Sequence, residues 1–176
     1  ESGTEYASVR GYVSLPRIDN DKKPWYEACN NPALQSSERP CRKKVNGTPG
    51  SYHCDSCNVS FPECKYLYIA NVSVSDGTGQ KYVSVFNEDA EVLFGCPASE
   101  IAGLLAADMK DRVDAMLTEQ NYKLCEMRLR FKAEMAAQGE DRVRATAMNL
   151  TVVDPASDAK AILAKLEPLA DQIMSW

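Results

Sequence analysis

The sequence predicts a small, mainly β fold: five strands, helices between the third and fourth, a metal-stabilised insert after the first, and a helix at the end. Three observations predict it. Five segments alternate apolar and polar residues at the period of a strand. The stretch 17–62 shows no such period and holds five of the nine prolines and four of the seven cysteines. The last twenty or so residues carry an apolar stripe at helical spacing.

The first strand is expected over 6–15, with Val9, Gly11 and Val13 on one face and Ser8, Arg10 and Tyr12 on the other. Residues 17–62 follow, and so long an irregular stretch inside a compact domain needs its own stabiliser. Strand character returns over 65–74. The turn Ser75-Asp-Gly-Thr-Gly79 then supplies the positive φ angles that a tight hairpin needs, and 81–86 is the partner strand. Residues 88–120 read as helical: Ala90, Leu93 and Phe94 form a short stripe, Pro97 stops it, and Ser99 is the expected cap of a second helix carrying Ile101, Leu104 and Leu105. Val113, Met116 and Leu117 continue the period.

The cleanest alternation runs over 123–134. Cys125, Met127, Leu129, Phe131 and Ala133 point one way and Glu126, Arg128, Arg130 and Lys132 the other. A loop at 136–140 leads to the last strand, 142–153. Asp154-Pro155 then forms an N-cap and first-turn pair opening a helix to about Ser175. Five strands with helices between the third and fourth give the order of a Greek-key barrel of the OB type. The expected organisation is a domain over 1–153, with the insert at about 22–62, and a separate terminal helix over 154–176.

The formal charge is −5, but it is unevenly spread. Residues 87–120 hold eight acidic side chains against two basic ones, whereas 22–86 and 123–144 are net positive. A fold that turns the acidic segment away can still show a basic face to phosphates. No apolar run is long enough to cross a membrane as a helix. The chain opens on Glu1 rather than Met, and the reading here is a piece of a longer protein. Four glycosylation-type triplets begin at Asn46, Asn58, Asn71 and Asn149. They raise a secreted reading, but Asn71 and Asn149 fall inside expected strands.

Cys54-Asp-Ser-Cys57 is a pair whose spacing lets both thiolates reach one metal from a tight turn. Cys29 and Cys41, with eleven residues between them, can complete four thiolates around one structural zinc ion. His53, the only histidine, abuts Cys54, and adjacent residues rarely reach the same ion. Cys64, Cys96 and Cys125 are expected to be plain buried thiols. A redox reading of the close pair lacks the surrounding βαβ unit it would need.

Several segments together resemble the C-terminal DNA-binding domain of the replication protein A large subunit. They are Tyr26-Glu-Ala-Cys29, Pro40-Cys-Arg-Lys-Lys-Val45, Tyr52-His-Cys-Asp-Ser-Cys57, Phe61-Pro62, Lys65-Tyr66, the run from Tyr82 to Glu91, and Arg142-Val-Arg-Ala-Thr146. The resemblance runs from about Tyr6 to Trp176. It implies an OB fold with a zinc ribbon between its first two strands, and nuclear single-stranded DNA binding in replication, repair and recombination. It also implies a C-terminal helix joining two smaller subunits in a heterotrimer. The family often has an aromatic in the loop before the last strand; here that loop reads Met135-Ala-Ala-Gln-Gly139.

Binding a single strand takes aromatic faces for bases and cations for phosphates. Tyr82 and Phe86 stand four apart on one strand and so share a face, with Val83 and Val85 opposite; the competing expectation is that Phe86 fills the barrel. Arg128, Arg130 and Lys132 form one basic stripe and Arg142 and Arg144 a second, with Arg42, Lys43, Lys44 and Lys65 extending the groove. Ile162, Leu166, Leu169 and Ile173 make the seam of a helix bundle, with Pro168 expected to kink it. A single histidine and no convincing triad argue against an enzyme. Two rival readings remain: an assembly module with weak DNA binding, and a telomere-specialised paralogue.

Overall fold

A computed structural model describes residues 3–18, 22–31, 33, 40–135 and 141–174, with the backbone alone at 134, 135, 141, 142 and 174. The strands are β1 (Thr4–Ser14), β2 (Trp25–Ala28), β3 (Asn46–Thr48), β4 (Ser51–Cys54), β5 (Val59–Phe61), β6 (Lys65–Ser75), β7 (Gln80–Phe86), β8 (Lys123–Met135) and β9 (Asp141–Val152). The helices are α1 (Asn87–Phe94), α2 (Ala98–Ala106), α3 (Lys110–Gln120) and α4 (Pro155–Met174).

The main sheet has the order β1-β8-β9-β7-β6-β2, and β1 also pairs with β6. The first strand lies antiparallel to β8 from Thr4 to Val13, and its end, Tyr12–Ser14, pairs with Ser73–Ser75 of β6. At that transition a Cβ on Gly11 would stand 2.9 Å from the Ser75 carbonyl oxygen and from Val74 Cγ1, so only glycine lets the two backbones approach. One pairing, β7 with β9, is parallel. The OB-like sheet thus curls until its first strand meets β6.

Val13, Val72, Val83, Val85, Cys125, Met127 and Leu129 fill the inside of the curl. The three middle helices cover it with Ala90, Leu93, Phe94, Ile101, Val113 and Leu117. Tyr68 of β6 stacks on Phe94 of α1, with ring centroids 4.7 Å apart and planes 7° from parallel, and donates its hydroxyl proton to the Cys96 carbonyl at 3.2 Å. The Leu150 backbone N–H donates to Asp89 Oδ1 at 3.1 Å, tying α1 to β9; burial holds the Asp89 carboxyl above its ordinary range.

Three local features differ from the sequence reading. Trp25–Ala28, inside the stretch read as irregular, forms β2 against Lys65–Tyr68; four residues are too few to show a period. The second helix begins at Ala98 with Pro97, not Ser99, in the capping position and no side-chain cap. Cys64 is half-buried against the ribbon rather than in the main core, where Cys96 and Cys125 lie. Asp154 does cap α4: its Oδ2 accepts from the Ser157 N–H at 2.9 Å and from its hydroxyl at 2.6 Å.

Candidate functional site

The insert is built as a small three-stranded sheet, β3-β4-β5, beside a chain segment zipped to β2. The Cys29 N–H donates to the Lys43 carbonyl at 2.9 Å and the Val45 N–H to the Glu27 carbonyl at 3.0 Å. That zipper brings Cys41 alongside Cys29. The β3–β4 hairpin requires Gly47, whose φ is +139° and whose absent Cβ would lie 2.1 Å from the Ser51 carbonyl oxygen. Val45, Tyr52 and Phe61 form the insert's own buried cluster.

The result gathers the sulfurs of Cys29, Cys41, Cys54 and Cys57, all within 4.8 Å of one another. Cys29 to Cys57 and Cys41 to Cys54 are each 3.9 Å. A tetrahedral ion with bonds of about 2.3 Å to sulfur requires edges of roughly 3.8 Å, which these two separations match. Burial pushes the Cys29 thiol up to about 12. Burial pushes Cys54 the same way, but the Cys57 backbone N–H and the neighbouring thiols outweigh it and hold Cys54 below the ordinary thiol value. Four sulfurs this close cannot all ionise unless a cation offsets their charge. His53 is outside the group: its Nδ1 meets Ser60 Oγ at 3.0 Å and its Nε2 lies 3.7 Å from Asp55.

The second assembly is the outer face of the main sheet. Val83 and Val85 are fully buried, while Tyr82 and Phe86 on the opposite face of β7 are 69% and 39% exposed. Phe86 therefore does not fill the interior. Arg130 pairs with Thr146 and Lys132 with Arg144 across β8 and β9. Ser84 of β7 is in register with Thr146, which carries the row on to β7 and sets Arg144 level with Tyr82. The Ser84 hydroxyl donates to Asn71 Oδ1 at 2.8 Å, extending the same row to β6. Arg130, Lys132, Arg144 and the aromatic pair thus share one continuous surface. Among the described residues no carboxylate lies within 4.0 Å of Arg128, Arg130 or Lys132, and the Arg130 Nε is buried without a hydrogen-bond partner. The Arg142 side chain and the loop 136–140 lie outside the described residues.

Lys43, Lys44 and Lys65 are exposed where the insert joins β6. Arg42 is partnered: it makes two hydrogen bonds to the Glu88 carboxylate, and its carbonyl accepts from the Tyr26 hydroxyl at 2.9 Å. On α4, Ile162, Leu166, Leu169 and Ile173 are all exposed, as is Leu163, and Arg10 of β1 pairs with Asp158 in the first turns. Pro168 lies inside the continuous helix. The sequence reading did not single out Tyr6, Ile69 and Met148, which are 54%, 42% and 49% exposed on the same outer face. An aromatic on the polar side of an alternating strand is the signal that marked Tyr6.

A family model described as Replication factor-A C terminal domain matches residues 6–162. Among curated proteins, the chain is 34% identical over 141 residues to a 70 kDa DNA-binding subunit of replication protein A from Oryza sativa subsp. japonica, covering 79% of this chain and 21% of the relative. It is 29% identical over 163 residues to replication factor A protein 1 of Schizosaccharomyces pombe, covering 93% and 25%. The chain therefore spans about a quarter or less of the relatives it matches. A solved replication protein A heterotrimer bound to single-stranded DNA aligns with a TM-score of 0.75 at 27% identity, covering 94% of this chain and 36% of that one. Yeast RPA bound to single-stranded DNA shares the fold, with a TM-score of 0.70 at 23% identity over 93% and 86% of the two chains.

Proposed function

This chain belongs to the replication factor-A C-terminal domain family, and from that premise we propose that it is the single-stranded DNA-binding and subunit-assembly module of a replication protein A large subunit. It acts in the nucleus, in replication, repair and recombination. Residues 1–153 form a closed five-stranded OB barrel with the ribbon as its insert, and 154–176 form the assembly helix. Cys29, Cys41, Cys54 and Cys57 hold one structural zinc ion, which supplies no chemistry beyond fastening the ribbon. The module is not an enzyme: His53, Ser60 and Asp55 lie near one another, but on the exposed side of the ribbon.

One observation carries the reading: two exposed aromatics on one strand share a surface with a row of cations on the neighbouring strands. Bases stack on Tyr82 and Phe86, and phosphates meet Lys132, Arg130, Arg128, Arg142 and Arg144, with Lys43, Lys44 and Lys65 at the ribbon end. Stacking and phosphate contacts tolerate any base, so sequence preference is weak. The exposed stripe Ile162, Leu166, Leu169 and Ile173 supports docking of helices from two smaller subunits. Titration of the chain with fluorescent oligo-dT tests the function. Binding is expected to weaken with salt and with Tyr82→Ala; absence of binding at low salt would refute it and leave the assembly role alone.

A further inference from the structure

The outer face does not stop at Phe86. Continuing the β7–β9 register two residues beyond Ser84 and Thr146 sets Met148 level with Phe86, and the β8–β9 pairing slips between Arg128 and Leu129, leaving Met148 as the extra residue that the bulge turns outward. The next strand brings Arg128, paired with Asn149 on one side and Ser8 on the other. Its guanidinium carbon lies 5.3 Å from the centre of the Tyr6 ring, so a planar cation rests on an exposed aromatic. Beside them is an open hollow of about 360 Å³, floored by Ser8, Asn149 and Thr151 and bounded by Arg10, Arg128 and Glu126. That volume lies within the range of small-ligand sites. Arg10 is the residue that pairs with Asp158 of α4.

Resting on the DNA-binding reading above, we propose that Arg128 and Tyr6 form a further stacking platform for the same strand of DNA. The track leads from Tyr82 and Phe86 past Met148 to the foot of α4. A base lies flat on the face of the Arg128 guanidinium, backed by the Tyr6 ring, while the N–H edge of the same group meets a phosphate; the hollow, lined by hydroxyl and amide groups and the Glu126 carboxylate, takes the edge or sugar of the base. The occupant is single-stranded nucleic acid because the surface is continuous with the aromatic pair and carries Arg128 and Arg130, while Glu126 at the rim of the hollow is faced by Arg10 at 3.9 Å. Among the described residues no carboxylate oxygen lies within 4.0 Å of the Arg128 or Arg130 guanidinium.

The test is oligo-dT affinity as a function of length, with the full chain. Tyr6→Ala is expected to leave the shortest binding oligonucleotides unaffected and to weaken longer ones about fivefold or more, the scale of one lost stacking contact. Tyr6→Phe should match the wild type, and Arg128→Lys, which keeps the charge and loses the plane, should weaken long oligonucleotides alone. If Tyr82→Ala weakens binding while Tyr6→Ala has no effect at any length, the platform is overturned. An equal loss at every length would place the effect in the fold and also overturn it. Loss of partner subunits with DNA affinity intact would give the face to a protein instead. If Tyr82→Ala is itself silent, the DNA-face reading fails, and the platform with it.

Discussion

Arg42 of the ribbon and Glu88 of α1 face each other across the junction between the two parts of the molecule. Nη1 donates to Oε2 at 3.2 Å and Nη2 to Oε1. Glu88 lies two residues after Phe86, so the pair fastens the ribbon beside one end of the aromatic face. The Arg42 guanidinium holds the Glu88 carboxyl below its ordinary range. Both side chains are at least half exposed, so the pair is worth roughly 0.2–1 kcal/mol.

The pair predicts a pH dependence of defined sign. A carboxyl with a lowered folded-state pKa contributes stability that is present above the ordinary glutamate value and lost as pH falls through the lowered one. Titration of the Glu88 side chain by NMR should show that lowered value, and Arg42→Ala should return it to the ordinary range. The same residues separate two roles for Arg42 on DNA. If it braces the ribbon, Glu88→Ala and Arg42→Ala weaken oligo-dT binding alike, with the salt slope unchanged. If it serves a phosphate, Glu88→Ala strengthens binding and Arg42→Ala lowers the slope by about 0.7.

Metal should control the ribbon and little else. Among the described residues the insert's buried cluster is Cys29, Val45, Tyr52, Cys54 and Phe61, too small to hold 41–64 in place unaided. Elemental analysis should find one zinc per chain. Cys54→Ser should abolish it and expose the ribbon amides to hydrogen exchange, while the main sheet keeps its protection. Structural zinc sites contribute about 10–16 kcal/mol in apparent terms.

Stacking and charge should separate on the outer face. Single-strand binders as a class, replication protein A among them, lose roughly 1–3 kcal/mol when a stacking aromatic is removed, and that general figure sets the scale here. Tyr82→Ala should fall in that range with little change in melting temperature, because the ring is 69% exposed. Lys132→Ala should reduce the log–log salt slope by about 0.7. Calorimetry and anisotropy titrations across salt concentrations check both.

The core gives a contrasting substitution. Phe94 is 2% exposed and stacked on Tyr68. Phe94→Ala should cost about 3–5 kcal/mol by denaturant unfolding, and should weaken DNA binding only in proportion to the fraction of chain unfolded.

Assembly should follow α4. Removing residues 157–176 is expected to abolish co-purification of two smaller subunits and leave zinc content unchanged. Leu166→Asp, on a side chain 52% exposed in the isolated chain, should do the same without disturbing the main sheet. Retention of both partners by either variant would contradict the docking role.

By itself the sequence determined the long elements and the close cysteine pair. Strands β1 and β6 to β9, the helical segment and α4 stand out because each is long enough for its apolar period to appear, and the period follows from burying one face. The close cysteine pair and its turn are equally local. Only the tertiary structure decided that Trp25–Ala28 is a strand, that Arg42 meets Glu88 across 46 positions, and that Tyr6 lies under Arg128. It also decided that Met148 is turned outward. Each of these depends on the placing of segments distant in sequence, for the strands through their register, which is set by how the whole sheet packs its interior, so no local pattern encodes it.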